Sequence, residues 1–212
     1  MTAAFFIPTA LILIAYLLGS LSGSLLLGKL RGVDIRTQGS GNAGGTNAFR
    51  TQGAKFALGA VVVDIGKGAL AAWLGLRFAD EGNIAWLPYA TAFAAAIGHV
   101  WPLWHGFRGG KGAATVVGGI AVLWPVAVPV LFTVWLCVLI LTGYVGLSTI
   151  LAGLSFAVFA RVADADQTRL VFAVAAALLL LFTHRANIAR LRAGTESRFE
   201  KARLLHRWAR RP

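Results

Sequence analysis

Charge is scarce in this sequence and acid scarcer still: 13% of its 212 residues are charged, only 8 of them Asp or Glu. A soluble domain carries about 25%, so a chain this poor in charge, 58% apolar and with a mean hydropathy of +0.72, has lipid as the solvent for most of its length. Cysteine is nearly absent as well. Cys137 stands alone inside an apolar run, which excludes an intramolecular disulfide. His99, His105 and His184 have no cysteine or carboxylate at ligand spacing, so a metal centre is not expected. No period of 20 to 50 residues recurs. Gly39, Gly41 and Gly44 imitate a dinucleotide fingerprint, but no βαβ unit surrounds them. The Gly-rich run at Lys111 also fails as a nucleotide loop, because His105 and Gly112 occupy the places of the required glycine and hydroxyl residue.

What is present is a series of apolar runs divided by short basic connections. With about 20 apolar residues needed per crossing, the candidate spans are Phe5 to Leu27, Phe56 to Phe78, Trp86 to Val100, Ala113 to Leu123, Val126 to Leu141, Leu147 to Ala160 and Leu170 to Thr183. The first reads as a retained span rather than a cleaved leader, since no basic stretch precedes it. The net charge of +12 sits in the connections and the tail, a pattern that fits anionic lipid and gives no reason to expect nucleic acid.

Lys and Arg near span ends stay on the cytoplasmic side. Placing the N-terminus outside puts Lys29, Arg31, Arg36, Arg50, Lys55, Arg108, Lys111 and all nine basic residues from Arg185 onward inside, against Arg77, Arg161 and Arg169 outside. The expected architecture is therefore an all-α polytopic bundle of about seven spans. Its N-terminus is periplasmic and its C-terminus cytoplasmic. We expect one transmembrane domain over 1–212, with a basic tail from about residue 197 held at the lipid surface through Arg203, Arg207, Arg210 and Arg211.

That orientation gathers three polar stretches at the cytoplasmic face. In the first, Gly39 to Arg50, glycines expose backbone N–H groups beside Ser40, Asn42, Thr46 and Asn47, and Arg50 adds a fork of donors suited to phosphate. In the second, Gly98 to Thr115, Gly109, Gly110 and Gly112 flank Lys111 at a helix start, which makes a phosphate nest by composition. Trp101 and Trp104 read as interfacial aromatics, and Phe107 as an anchor for its loop. In the third, His184 to Glu196, helical spacing lets His184 and Asn187 share a face. Within the second apolar run, Asp64 and Lys67 are three residues apart and read as a buried structural pair.

Together the three stretches resemble the sequence motifs of the membrane-integral bacterial glycerol-3-phosphate acyltransferases that use acyl phosphate as donor. The resemblance rests on Ser40-Gly41-Asn42 with Thr46-Asn47 and Arg50, on Gly98-His99 with Pro102 and Phe107 through Thr115, and on His184-Arg185 with Asn187-Ile188, Gly194 and Glu196. Gly45 stands where that family usually carries alanine.

The resemblance implies acyl transfer from acyl phosphate to the first hydroxyl of glycerol-3-phosphate, giving lysophosphatidic acid and phosphate as the first step of phospholipid synthesis. The setting is the bacterial inner membrane, with the site facing the cytoplasm, no cofactor, and an acyl-phosphate-producing enzyme as a partner. Lys111 with the amides of Gly109 and Gly110 is expected to grip phosphate. Arg50 neutralises phosphate charge, Ser40 and Asn42 orient the reacting groups, Thr46, Asn47 and Gly112 join Asn42 in binding substrate, His184 and Asn187 complete the acceptor site, and Glu196 fixes the basic loops. The histidine-plus-aspartate signature of acyl-CoA-dependent acyltransferases is lacking: Trp104, Gly110, Ala189 and Arg211 stand five positions after the histidines. Direct attack on the donor, without an acyl-enzyme, is the expected route. A transporter for a phosphorylated metabolite is the rival reading, weakened by the lack of internal repeats and by polar motifs at one face rather than at midplane.

Overall fold

The computed structural model describes residues 2–82 and 84–202, and every regular element among them is helical. The described chain forms two compact units that meet in sequence at Pro125 and Val126. Of the basic tail expected to lie on the lipid surface, residues 203–212, which include Arg203, Arg207, Arg210 and Arg211, are outside the described residues.

The first unit holds α1 (Thr2–Gly19), α2 (Gly23–Leu30), α3 (Gly45–Gln52), α4 (Ala54–Gly82), α5 (Leu87–Val100) and α6 (Ala113–Leu123). Its hub is α4, which packs against each of the other five. Small residues permit this. A Cβ on Gly68 would lie 2.0 Å from the Thr115 carbonyl oxygen, and one on Gly118 would lie 2.0 Å from that of Ile65. Helices in lipid associate through such backbone approach because there is little hydrophobic gain from pairing them. Gly68→Leu should therefore force α4 and α6 apart and destabilise the unit by about 1–3 kcal/mol or more. Thermal unfolding in detergent checks this, and an unchanged midpoint would contradict the packing.

The second unit holds α7 (Ala127–Thr142), α8 (Val145–Val162), α9 (Gln167–Thr183) and α10 (Arg185–Arg192). There α8 lies between α7 and α9, and α10 touches α8 and α9. Pro129 does not interrupt α7, because it falls in the first turn, where its missing N–H would have had no partner.

Six of the seven apolar runs coincide with one helix each: α4, α5, α6, α7, α8 and α9. The run from Phe5 to Leu27, expected as one span, is instead broken between α1 and α2, which meet at a bend of 47°. The chain there reads Gly19-Ser20-Leu21-Ser22-Gly23, and side chains of α4 take up the backbone groups the break releases. Lys67 Nζ donates to the carbonyls of Gly19 (2.8 Å) and Leu21 (2.9 Å), and Asp64 Oδ1 accepts from the Gly23 amide (3.0 Å). A broken helix is tolerated at membrane depth only when its freed groups find such partners.

The helix expected to carry His184 and Asn187 together is also bent, by 55° between α9 and α10. His184 Nδ1 lies 2.8 Å from the Leu180 carbonyl oxygen, and Arg185 donates to that of Phe182. These contacts occupy carbonyls at the bend. By length and composition two helices, α4 and α8, are sufficient to cross a membrane, or four spans if each bent pair counts as one.

Candidate active site

In the first unit, the first two polar stretches come together. α3 starts at Gly45, and its buried side is set by Asn47 and Ala48, leaving Thr46, Phe49 and Arg50 exposed. Thr46 and Arg50 are one helical turn apart and so share a face. Gly45, the departure from the family pattern, fits its surroundings: a Cβ there would lie 2.6 Å from Val61 Cγ2.

Asn47 was expected to touch substrate, but the structure gives it another part. Its Oδ1 accepts from the Ser40 amide at 2.9 Å, and its Nδ2 donates to the carbonyls of Ile35 (3.1 Å) and Gln38 (3.0 Å). Asn47 is a buried brace that shapes the loop. It leaves the exposed Ser40 presented above it.

The second stretch shows a similar shift. The amides of Gly109 and Gly110, expected to grip phosphate, donate instead to the carbonyls of Val100 and His99, both at 3.1 Å. This backbone pairing folds the loop into a short hairpin on the end of α5. Gly112 then turns the chain into α6 with a φ of 85°, a left-handed conformation natural to glycine. The amides left without a helical acceptor are those of the first turn of α6, beginning at Ala113. The open amides of this loop thus lie on the far side of Lys111 from Gly109 and Gly110. Phe107, expected to anchor its loop, is 53% exposed and has a φ of 58°.

Asp34 and Arg36, which the sequence did not single out, connect the two loops. Arg36 makes a two-point pair with Asp34 (2.8 Å at its shortest) and donates to the carbonyls of His105 (2.8 Å) and Arg108 (3.2 Å). Hydrogen bonds from Arg36 hold the Asp34 carboxyl below its ordinary range and raise the guanidinium in turn. The Asp34 contribution is therefore complete at neutral pH and is lost only as pH falls through that lowered value. Burial, followed by the nearby Arg36, pushes His105 below its ordinary range. Ala43 of the first loop also closes on Gly110 of the second, since a Cβ on Gly110 would lie 2.8 Å from the Ala43 carbonyl oxygen.

The inner wall is a polar cluster with Asp64, Lys67 and His99 all buried. Lys67 Nζ lies 2.9 Å from Asp64 Oδ1, and His99 Nδ1 is 2.9 Å from Lys67 Nζ and 3.2 Å from Asp64 Oδ1. The pair was legible as i, i+3 spacing; its histidine partner was not. Its signal was an ionisable pair at depth needing further polar neighbours, with a histidine near the end of another apolar run.

The third stretch belongs to the second unit. His184 and Asn187 are both buried there. Glu196 accepts from Asn187 Nδ2 and from Arg190 Nε, each at 2.6 Å. Beyond it, Arg198 Nε donates to the Tyr144 hydroxyl (2.7 Å) and the Phe199 amide to the Gly143 carbonyl (2.7 Å), tying this segment to the α7–α8 connection.

Comparison with known proteins gives this arrangement its context. Residues 9–194 match the model of the family described as glycerol-3-phosphate acyltransferase. The chain belongs to that family. A glycerol-3-phosphate acyltransferase of Symbiobacterium thermophilum is 41% identical over 88% of this chain and 92% of its own length. That of Aquifex aeolicus is 37% identical, over 89% and 97%. Among solved structures, the integral membrane glycerol 3-phosphate acyltransferase PlsY in its glycerol 3-phosphate form superposes with a TM-score of 0.85 at 36% identity, covering 91% of this chain and 95% of that one. Its lysophosphatidic acid form gives 0.83 at 36% identity, over 90% and 94%. The chain is thus a membrane acyltransferase acting on glycerol-3-phosphate, which sets aside the transporter reading.

Proposed function

We propose that the chain transfers an acyl group from acyl phosphate to the 1-hydroxyl of glycerol-3-phosphate, releasing lysophosphatidic acid and inorganic phosphate, by direct attack and without an acyl-enzyme. The observation that carries this reading is the joining of the Ser40–Arg50 and His99–Thr115 loops by Arg36 and by the Ala43–Gly110 approach. It assembles cations and amide donors in one place, and the sequence carries no histidine followed five residues later by aspartate, the signature of the acyl-CoA-dependent enzymes. A mixed anhydride needs no further activation, so positioning and charge stabilisation carry the rate.

In this proposal Lys111 and the first-turn amides of α6 hold a phosphate, and Arg50 balances its charge from the exposed face of α3. Among the described residues no hydrogen-bond or ionic partner occupies the Arg50 side chain. Ser40, Asn42 and Thr46 orient the reacting groups. His184 and Asn187 handle the acceptor, on the strength of their match to the family's third motif. The donor phosphate accepts the hydroxyl proton, and Ser40 does not form an ester.

We further propose seven crossings, with α1 and α2 as one bent span, the N-terminus periplasmic and the loops cytoplasmic, in the bacterial inner membrane. The chain then acts as a single enzyme domain, fed by an enzyme that makes acyl phosphate. Purified protein in detergent, given radiolabelled glycerol-3-phosphate with palmitoyl phosphate or with palmitoyl-CoA, should form lysophosphatidic acid only from the phosphate. Equal or better turnover of the CoA ester would overturn the donor assignment.

A further inference from the structure

The Asp64–Lys67–His99 cluster does more than satisfy its own burial. His99 points in two directions. On one side Nδ1 is held by Asp64 and Lys67, the two residues that also bind the backbone released at the break between α1 and α2. On the other side the ring lies against the second loop: a Cβ on Gly110 would come within 2.1 Å of His99 Nε2 and 3.0 Å of Cε1. The backbone of His99 also accepts the Gly110 amide. Gly110 immediately precedes Lys111. The loop is also pinned directly to the break, because the Leu103 amide donates to Ser20 Oγ at 3.2 Å and Trp104 Nε1 to the Leu17 carbonyl at 3.4 Å.

We infer that His99 is a positioning residue: its ring, anchored on the Asp64–Lys67 pair, is the spacer that sets the depth of Gly110 and hence the placement of Lys111 against a substrate phosphate. This deepens the proposed function and rests on its assignment of Lys111. A spacer of this kind acts on the binding of the phosphorylated group and does not touch the reacting atoms. Placement errors of about 1 Å are enough to cost an enzyme up to roughly a hundredfold.

Two substitutions approach the contact from opposite sides. His99→Asn keeps a nitrogen close to the Nδ1 position facing Asp64 and removes the part of the ring that meets Gly110. It should leave the thermal unfolding midpoint close to that of the parent, raise KM for the phosphorylated substrates about tenfold and hold kcat within about threefold. Gly110→Ala pushes the loop away from His99 and should produce the same KM-weighted defect. Because both act on one contact, their losses in kcat/KM should fail to multiply in the double variant. An unchanged KM in either variant, a loss confined to kcat, or fully multiplicative losses would overturn the inference. If His99→Asn proves unstable, the KM-against-kcat split of Gly110→Ala decides alone.

Titration calorimetry of inorganic phosphate with the parent and with each variant reads the loop without turnover. A parent inactive with either acyl donor defeats the proposed function, while weaker phosphate binding in the variants still upholds the spacer and equal binding removes it.

Discussion

Lys111→Ala should reduce kcat/KM for acyl transfer by a factor on the order of 10² to 10³, chiefly by raising KM for the phosphorylated substrates, the loss expected when one partner of a hydrogen-bonded charge pair is removed, while the purified variant elutes and melts like the parent. The reasoning starts from the loop. Pairing of the Gly109 and Gly110 amides with the end of α5, followed by the left-handed turn at Gly112, sets Lys111 between a fixed hairpin and the open amides of α6. The backbone conformation is carried by glycines and main-chain bonds, so deleting the lysine side chain leaves it standing. Lost is the cation that would offset phosphate charge. Arg50→Ala should behave in the same way, because its side chain is exposed on α3 and the helix is held by Asn47 and Ala48 beneath it. The measurement is initial rate against both substrates together with thermal unfolding. Full activity in either variant would remove that residue from the mechanism.

Asp64→Ala is expected to act on stability first. It would leave Lys67, with a side chain 3% exposed, as a buried ammonium without its carboxylate, and would take the acceptor from the Gly23 amide and from His99 at once. Breaking a buried pair from one side costs about 3–5 kcal/mol, whereas replacing both partners can be nearly neutral. The single variant should therefore unfold at markedly lower temperature in detergent. The double variant Asp64→Leu/Lys67→Met should recover part of that loss, although the backbone at the break would still lack its partners. A single variant as stable as the parent would show that the pair contributes little to the first unit.

Most of the helices could be read from the sequence because an apolar run bounded by basic or glycine-rich connections has few alternatives in lipid. The break at Ser20 to Ser22 could not. Glycine and serine are common inside membrane helices, and what turns them into a break here is a lysine and an aspartate more than 40 residues away. The residue types that make up the phosphate-handling loops were legible by composition, but their division of labour was not. A glycine in a motif can donate to a ligand or to its own chain, and only the fold showed Gly109 and Gly110 doing the latter. Asn47 presents the same ambiguity, since a carboxamide serves a loop as well as it serves a substrate. Asp34 and Arg36 escaped notice because a lone Asp-x-Arg is common on any exposed turn; their use as a strap depends on where the His105 and Arg108 carbonyls come to rest.

The stitching of the first break by α4 bears on how the protein is made. As the chain is threaded into a bilayer, α1 and α2 emerge first, carrying carbonyls at Gly19 and Leu21 and an amide at Gly23 for which hydrocarbon offers no hydrogen bond. Until Asp64 and Lys67 arrive, that segment has either to remain near water or to stay straight. The bent form of this segment within the bilayer is thus a product of co-insertion with α4, and a fragment ending before residue 64 lacks the two side chains that hold it.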